Sequence, residues 1–186
     1  MRLELKNLVK ALGVTTLYVT HDQMEALTMS DSVAVMHDGV FVEEAMPKDL
    51  YLRPHSAFTA TFLGETNLIA GKVIGPAAND GLWRVDTPHG PMVCPMDSGA
   101  AARDSVWVAC RPEGVRVSAA RPAGENVFPG RITAVVFAGD QIIYSITLGE
   151  QTIQVKSDPF SGFQDGGQVF VQLLPERCLL IHRDDV

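Results

Sequence analysis

Leu17-Tyr-Val-Thr-His21-Asp-Gln-Met-Glu-Ala26 is the stretch on which the reading of this 186-residue chain turns. Residues 14–20 are β-branched and apolar, the pattern of a buried strand. Asp22-Gln-Met-Glu25 follows with the spacing of a capping box, Asp22 as N-cap and Glu25 three residues on. His21 therefore stands where a strand gives way to a helix N-terminus, a place that favours phosphate oxygens. An imidazole there can donate a hydrogen bond to a phosphate or hold an attacking water. Ring chemistry alone does not separate that role from a structural or solvated histidine.

The flanking sequence reads as helix, strand, helix, strand, strand, helix, helix. Leu3, Leu5, Leu8, Val9 and Leu12 mark one face of a first helix, with Gly13 as its stop. Residues 32–37 and 40–44 form a strand pair turning at Asp38-Gly39, a strong hairpin dipeptide. Pro47 opens a helix over 48–53, Pro54 ends it, and a second short helix over 56–63 stops at Gly64. Such an order belongs at the far end of a parallel α/β sheet, where residues 14–20 need strands on either side. The expectation is that another copy of the chain patches this region, or that it is partly disordered.

Tyr18-Val-Thr-His21-Asp-Gln-Met-Glu-Ala-Leu27 and Asp31-Ser-Val-Ala-Val35 closely resemble the switch-histidine segment of ABC transporter ATPase subunits. The likeness continues through Asp38-Gly39, Pro47-Lys-Asp-Leu-Tyr51, Pro54 and Phe62-Leu-Gly64, and covers residues 1 to about 66. In that family the histidine contacts the γ-phosphate of ATP, and His21 matches it in position and context. The resemblance implies ATP and Mg in a parent subunit, with His21 as its catalytic and nucleotide-contacting residue. It implies as partners the membrane permease, a solute-binding protein and a second copy, set alongside or domain-swapped. The implied location is cytoplasmic, against the inner face of the cell membrane.

A P-loop ATPase also needs a Gly-rich phosphate cradle and an acidic strand end for Mg²⁺. No G-x-x-x-x-G-K-[ST], no Ser-Gly-Gly-Gln-type run and no apolar strand ending in Asp-Glu occurs in the 186 residues. Met1 is then an internal methionine or the start of a truncated gene. This chain alone is expected to bind no cofactor and to hydrolyse no ATP.

The net charge is −7, and the two sides of Thr66 carry −4 (5 basic, 9 acidic) and −3 (10 basic, 13 acidic). Neither half has a basic footprint, which argues against a nucleic-acid partner. No apolar run reaches the ~20 residues of a membrane span. Cys94, Cys110 and Cys178 lie in apolar stretches without C-x-x-C spacing. They read as buried free thiols in a reducing compartment, and no metal site is expected from them.

After Asn67 helical signals give way to short strands between Gly, Pro and Asp turns, the grammar of a small all-β barrel. A weak duplication runs through it, offset by about 60 residues. Gly71-Lys-Val-Ile74 parallels Gly130-Arg-Ile-Thr133. Leu82-Trp-Arg-Val-Asp86 with Gly90-Pro-Met-Val-Cys94 parallels Ile143-Tyr-Ser-Ile-Thr147 with Gln151-Thr-Ile-Gln-Val155. Val106-Trp-Val-Ala-Cys-Arg-Pro112-Glu-Gly-Val-Arg-Val117 parallels Val169-Phe-Val-Gln-Leu-Leu-Pro175-Glu-Arg-Cys-Leu-Leu180. This region is similar to the TOBE (transport-associated OB) domain of importer ATPases, and Arg111-Pro112-Glu113 matches its best-known string. The junction Phe62-Leu-Gly-Glu-Thr-Asn67-Leu resembles that of the spermidine/putrescine and ferric-iron branches, relatives of the maltose type.

The expected fold is α+β overall: a partial α/β nucleotide-binding-domain remnant over residues 1–66, then an all-β, OB-type, TOBE-like barrel over residues 67–186. The expected function is that of the C-terminal fragment of an importer's ATP-binding subunit, carrying the switch histidine and a regulatory or dimerisation barrel. Arg111 and Glu113 are candidate ligand-binding residues, set against a loop-ordering role. Asp22 and Glu25 read as caps, and Trp83 and Trp107 as core. The runner-up is a stand-alone sensor of an oxyanion or solute, for which Thr133, Lys156 and Ser157 are the candidate donors. An OB-type nucleic-acid binder and an intact enzyme fit less well.

Overall fold

The computed structural model describes residues 2–77, 81–95 and 105–183, which divide into two units, Met1–Gly64 and Glu65–Val186. The first unit contains helices α1 (Arg2–Leu12) and α2 (Gln23–Met29), strands β1 (Val33–His37) and β2 (Val40–Ala45), and helices α3 (Pro47–Leu52) and α4 (Ala57–Phe62).

Local signals set most of these boundaries. Gly13 takes φ +61° and its N–H closes α1 on the carbonyl of Lys10 at 3.2 Å. Asp38 (φ +47°) and Gly39 (φ +79°) both sit in the left-handed region, the two-residue turn that matches strand twist. Pro47 is the first residue of α3, and the Ser56 hydroxyl accepts the Thr59 N–H at 3.0 Å to cap α4. Val33, Val35, Leu50 and Leu63 form a small core on which Phe58 and Tyr51 pack.

Two expectations fail here. Residues 14–20 form no strand, and their apolar side chains face solvent, Leu17 at 92% and Val19 at 87% exposure. The only sheet described in this unit is the antiparallel β1–β2 pair, so no parallel α/β layer is present among the described residues. The cause is non-local: a strand takes its backbone hydrogen bonds from a neighbour, and no described strand lies alongside this segment. The leucine face of α1 is likewise uncovered, with Leu3, Leu8 and Leu12 more than half exposed.

Among the described residues the second unit holds ten strands: β3 (Asn67–Pro76), β4 (Leu82–Thr87), β5 (Gly90–Pro95), β6 (Ser105–Cys110), β7 (Val115–Ser118), β8 (Val127–Phe137), β9 (Ile142–Leu148), β10 (Gln151–Ser157), β11 (Gln168–Leu173) and β12 (Cys178–His182). They form two five-stranded antiparallel sheets, ordered β5-β4-β3-β6-β12 and β10-β9-β8-β11-β7. In each, the outermost strands meet, β12 against β5 and β7 against β10, so each sheet curls into a small barrel. The two orders are the same pattern with the final strands exchanged. β7 follows β6 in the chain yet pairs with β11, and β12 follows β11 yet pairs with β6. A 3-10 turn makes each crossing, Pro112–Gly114 and Pro175–Arg177. Residues from both barrels, such as Ile69, Val108, Ile146 and Val171, belong to one continuous core.

Backbone devices recur at equivalent points. A Cβ at Gly71 would run into Val85 Cγ1, and one at Gly130 into Ile146 Cγ2 and Leu148 Cδ2. Each barrel also carries an asparagine that imitates a strand. Asn67 gives its Nδ2–H to the carbonyl of Gln154 and takes the Gln154 N–H on Oδ1, both at 2.8 Å. Asn126 does the same to Val93, at 2.8 and 2.7 Å. Both amides are buried, and they satisfy peptide groups on the outer strands β10 and β5 that would otherwise lack a partner.

Candidate functional site

His21 is exposed, and the residues on both sides of it are tied down. Asp22 is the N-cap of α2 in an extended conformation (φ −87°, ψ 108°), and its Oδ1 accepts the N–H groups of Met24 at 2.8 Å and Glu25 at 3.1 Å. The Asp22 N–H itself donates to Thr20 Oγ1 at 2.9 Å. Glu25 Oε2 accepts the hydroxyls of Tyr18 and Thr20, each at 2.9 Å. The cap is thus present at the position the spacing gave. Thr20 stands between the N-cap amide and the carboxylate that a capping box would bring directly to it.

Arg111 opens the first 3-10 turn and is half-buried. Its Nη1 donates to the carbonyl of Glu65 at 3.3 Å and to the Thr66 hydroxyl. Lys156 Nζ meets the Glu65 carboxylate at 3.2 Å. The start of the second unit is therefore strapped down by Arg111 and Lys156, together with the Asn67 amide. Glu113 lies exposed on the same turn. The guanidinium of Arg111 is engaged within the chain.

The candidate oxyanion donors are not gathered. Lys156 is engaged by Glu65, and Thr133 Oγ1 donates to the carbonyl of Ser145 at 3.2 Å. Thr133 and Ser157 lie on β8 and β10, with β9 between them. A groove of about 960 Å³ does open in this unit, lined by Arg131, Thr133, Thr147, Asp165, Gln168 and Phe170 among others, with neither Lys156 nor Ser157 in its wall.

The three cysteines are buried in the first barrel, with Cys110 and Cys178 facing each other across β6 and β12. The Cys110 thiol is held well above the ordinary thiol range by its hydrogen bond with Cys178 and by burial. For Cys178 the bond with Cys110 acts downward, but the bond with Cys94 and burial outweigh it and leave the thiol well raised. Such protonated thiols are poor nucleophiles and poor ligands. Among the described residues no group of three or more His, Cys, Asp or Glu side chains is arranged to hold a metal ion.

Sequence reasoning missed the two asparagine clamps and a pair of arginine caps. Arg183 lies over the Trp107 ring at 4.8 Å, and Arg121 over Phe170 at 5.9 Å, on equivalent strands β6 and β11. The recurrence of Asn67 and Asn126, each just ahead of a paralleled segment, was the available signal.

Comparison with known proteins bears on these geometries. Residues 108–181 match the TOBE domain family. The chain is 33% identical over 191 residues to the spermidine/putrescine import ATP-binding protein PotA of Thermotoga maritima, covering 96% of this chain and 51% of that protein. The chain matches the C-terminal part of an ABC importer ATP-binding subunit. The PotA of Frankia alni is 34% identical over 199 residues, covering 97% of this chain and 42% of the relative. That of Acetivibrio thermocellus is 41% identical over 139 residues, covering 75% and 37%. The chain thus spans about half, or less, of the length of these curated relatives. Among solved structures, the cytoplasmic molybdate-binding protein ModG superposes with a TM-score of 0.54 at 14% identity, over 62% of this chain and 95% of that one. That likeness is one of fold, and it identifies the paired barrels as OB-type. The TOBE match runs from β6 to β12 and so takes in the second barrel and both exchanged strands.

Proposed function

We propose that this chain acts as the C-terminal part of the ATP-binding subunit of an importer for a small solute, with His21 contacting the terminal phosphate of ATP. The observation that carries the reading is an exposed imidazole on a braced turn, within a chain similar to such subunits along nearly its whole length. The residues present fit one contact to a nucleotide and no more. Neither a Gly-rich phosphate cradle nor an apolar strand ending in Asp-Glu for Mg²⁺ occurs in the 186 residues, and the Asp22 carboxylate beside His21 is used as the cap of α2. When bound, ATP with Mg²⁺ supplies the transferable phosphoryl group. The part played by this chain is to hold Nε2 of His21 within hydrogen-bond reach of it.

The barrels are the regulatory and dimerising part in this reading. The exchange of β7 and β12 supports it, since strands that already cross between halves can cross between copies. The partners are then a second copy, a membrane permease and a solute-binding protein, at the cytoplasmic face of the membrane. No helix among the described residues is long and apolar enough to cross a membrane. The named relatives and the junction at residues 62–68 favour a polyamine as the solute.

The test is His21→Ala in the full-length subunit. ATP turnover is expected to fall by about 10²-fold or more, with nucleotide affinity kept within about twofold. The present chain alone is expected to release phosphate at the blank rate. Unchanged turnover in the variant removes the assignment.

A further inference from the structure

We infer that Glu25 is a positioning residue for His21, acting by gathering the hydroxyls of Tyr18 and Thr20 onto one carboxylate oxygen. The inference rests on the proposed reading of His21 and deepens it. Residues 14–20 are exposed and pair with no strand among the described residues, so no sheet fixes the segment that leads into the imidazole. Side-chain bonds do so instead. Before His21, Tyr18 Oη and Thr20 Oγ1 both donate to Glu25 Oε2 at 2.9 Å. After it, the Asp22 N–H donates to the same Thr20 hydroxyl at 2.9 Å. Thr20 uses its hydroxyl twice, so its hydroxyl links the residue after His21 to the carboxylate in the first turn of α2.

The acceptor is a carboxylate, and hydrogen bonds to a charged acceptor are the stronger kind. Two donors converging from alternate residues also fix the direction of the backbone between them, which a single bond would not. The imidazole takes part in none of these bonds and faces outward. This is the arrangement of a group held ready for a ligand that arrives from outside: a pinned main chain and a free ring. Losing the pin restores torsional freedom to residues 18–21. A displacement of about 1 Å at a contact of this kind costs on the order of 10²-fold in rate. Asp22 caps α2 independently through Met24 and Glu25 N–H groups, so the helix does not depend on the Glu25 carboxylate.

The experiment compares Glu25→Ala, Glu25→Gln and the double variant Tyr18→Phe/Thr20→Val with His21→Ala, all in the full-length subunit. Glu25→Ala is expected to lower kcat by about 10- to 100-fold while KM for ATP moves less than threefold. Glu25→Gln keeps an oxygen that accepts both hydroxyls and is expected to restore most of the rate. The double variant removes both donors and, with the Thr20 hydroxyl, the acceptor of the Asp22 N–H; it is expected to lose at least as much as Glu25→Ala, and the triple combination little more than the double. A general loss of folding would move KM and expression as well and would not be rescued by glutamine. Should Glu25→Ala compromise folding, Tyr18→Phe alone deletes one peripheral hydroxyl and is expected to cost several-fold in kcat. Wild-type turnover in Glu25→Ala beside an inactive His21→Ala overturns the inference and leaves the reading of His21 intact. Wild-type turnover in both sinks the reading itself.

Discussion

The two barrels of the second unit share one strand order and one set of backbone devices, yet they fill their interiors differently. At three equivalent positions the first barrel buries Cys94, Cys110 and Cys178, and the second buries Val155, Leu173 and Val115. The close-approach glycines, the asparagine clamps and the 3-10 crossings appear in both. What the pair has in common is therefore geometry that only particular residues can supply. The core positions ask for volume and accept either sulfur or methyl groups. Both tryptophans, Trp83 and Trp107, lie in the first barrel, so fluorescence-monitored denaturation reports on that barrel.

The sharpest challenge to the equivalence is at the glycines. Gly71→Ala forces a methyl into Val85, a β-branched side chain with little room to turn, and into the Asp86 carbonyl at 3.2 Å. It is expected to destabilise the unit by about 3 kcal/mol. Gly130→Ala meets Ile146 Cγ2 at 2.7 Å and Leu148 Cδ2 at 2.8 Å, a shallower overlap than the one with Val85, although Ile146 is β-branched too. About half that loss is expected there, read as a shift in the urea midpoint at constant slope. Equal losses at both sites would mean that the two barrels are stiffer than their side chains suggest.

Next come the clamps. Asn67→Ala and Asn126→Ala each strip a buried peptide N–H and C=O of their partners, and a cost of about 2 kcal/mol is expected for each. Hydrogen exchange should show the freed N–H groups, Gln154 in the first variant and Val93 in the second. If either amide stays protected, the asparagine is not what closes that edge.

The smallest effect should come from giving the first barrel the interior of the second. Cys178→Val, which puts the side chain of the second barrel's Val115 at the matching site of the first, is expected to change stability by less than about 1.5 kcal/mol near neutral pH. The pH dependence should separate the chains. Thiols raised in the folded state stay protonated while those of the unfolded chain ionise, so their contribution is present at low pH and fades above about pH 8.5. The variant, with a raised thiol removed, should show less of this alkaline slope. An unchanged slope belongs to other groups.

Much of this architecture was legible, where the signal was local. Asp38-Gly39 can turn only one way, Pro47 can start a helix but not continue one, and Ser56 caps α4 from its own side chain. The strand expected at residues 14–20 was not legible in the same sense, because a pattern of Val, Thr and Leu becomes a strand only beside another strand. Strand exchange was hidden for a related reason. The spacing of about 60 residues reveals two copies, but which β6-like strand receives which β7-like strand is settled by packing across the whole unit. At the candidate site, the turn around His21 and its Asp22 cap followed from spacing. The destination of the Glu25 carboxylate did not, because a template that looks three residues ahead cannot see Tyr18 reaching forward by seven.

The crossed ends of the two barrels have a mechanical consequence. The connection from Ala119 to Glu125 is largely exposed and joins two halves that each hold a strand of the other. A cut there would produce two polypeptides that remain interlocked like clasped hands, migrating together until denatured. Neither piece would hold a complete barrel by itself, so the two barrels stand as one mechanical module.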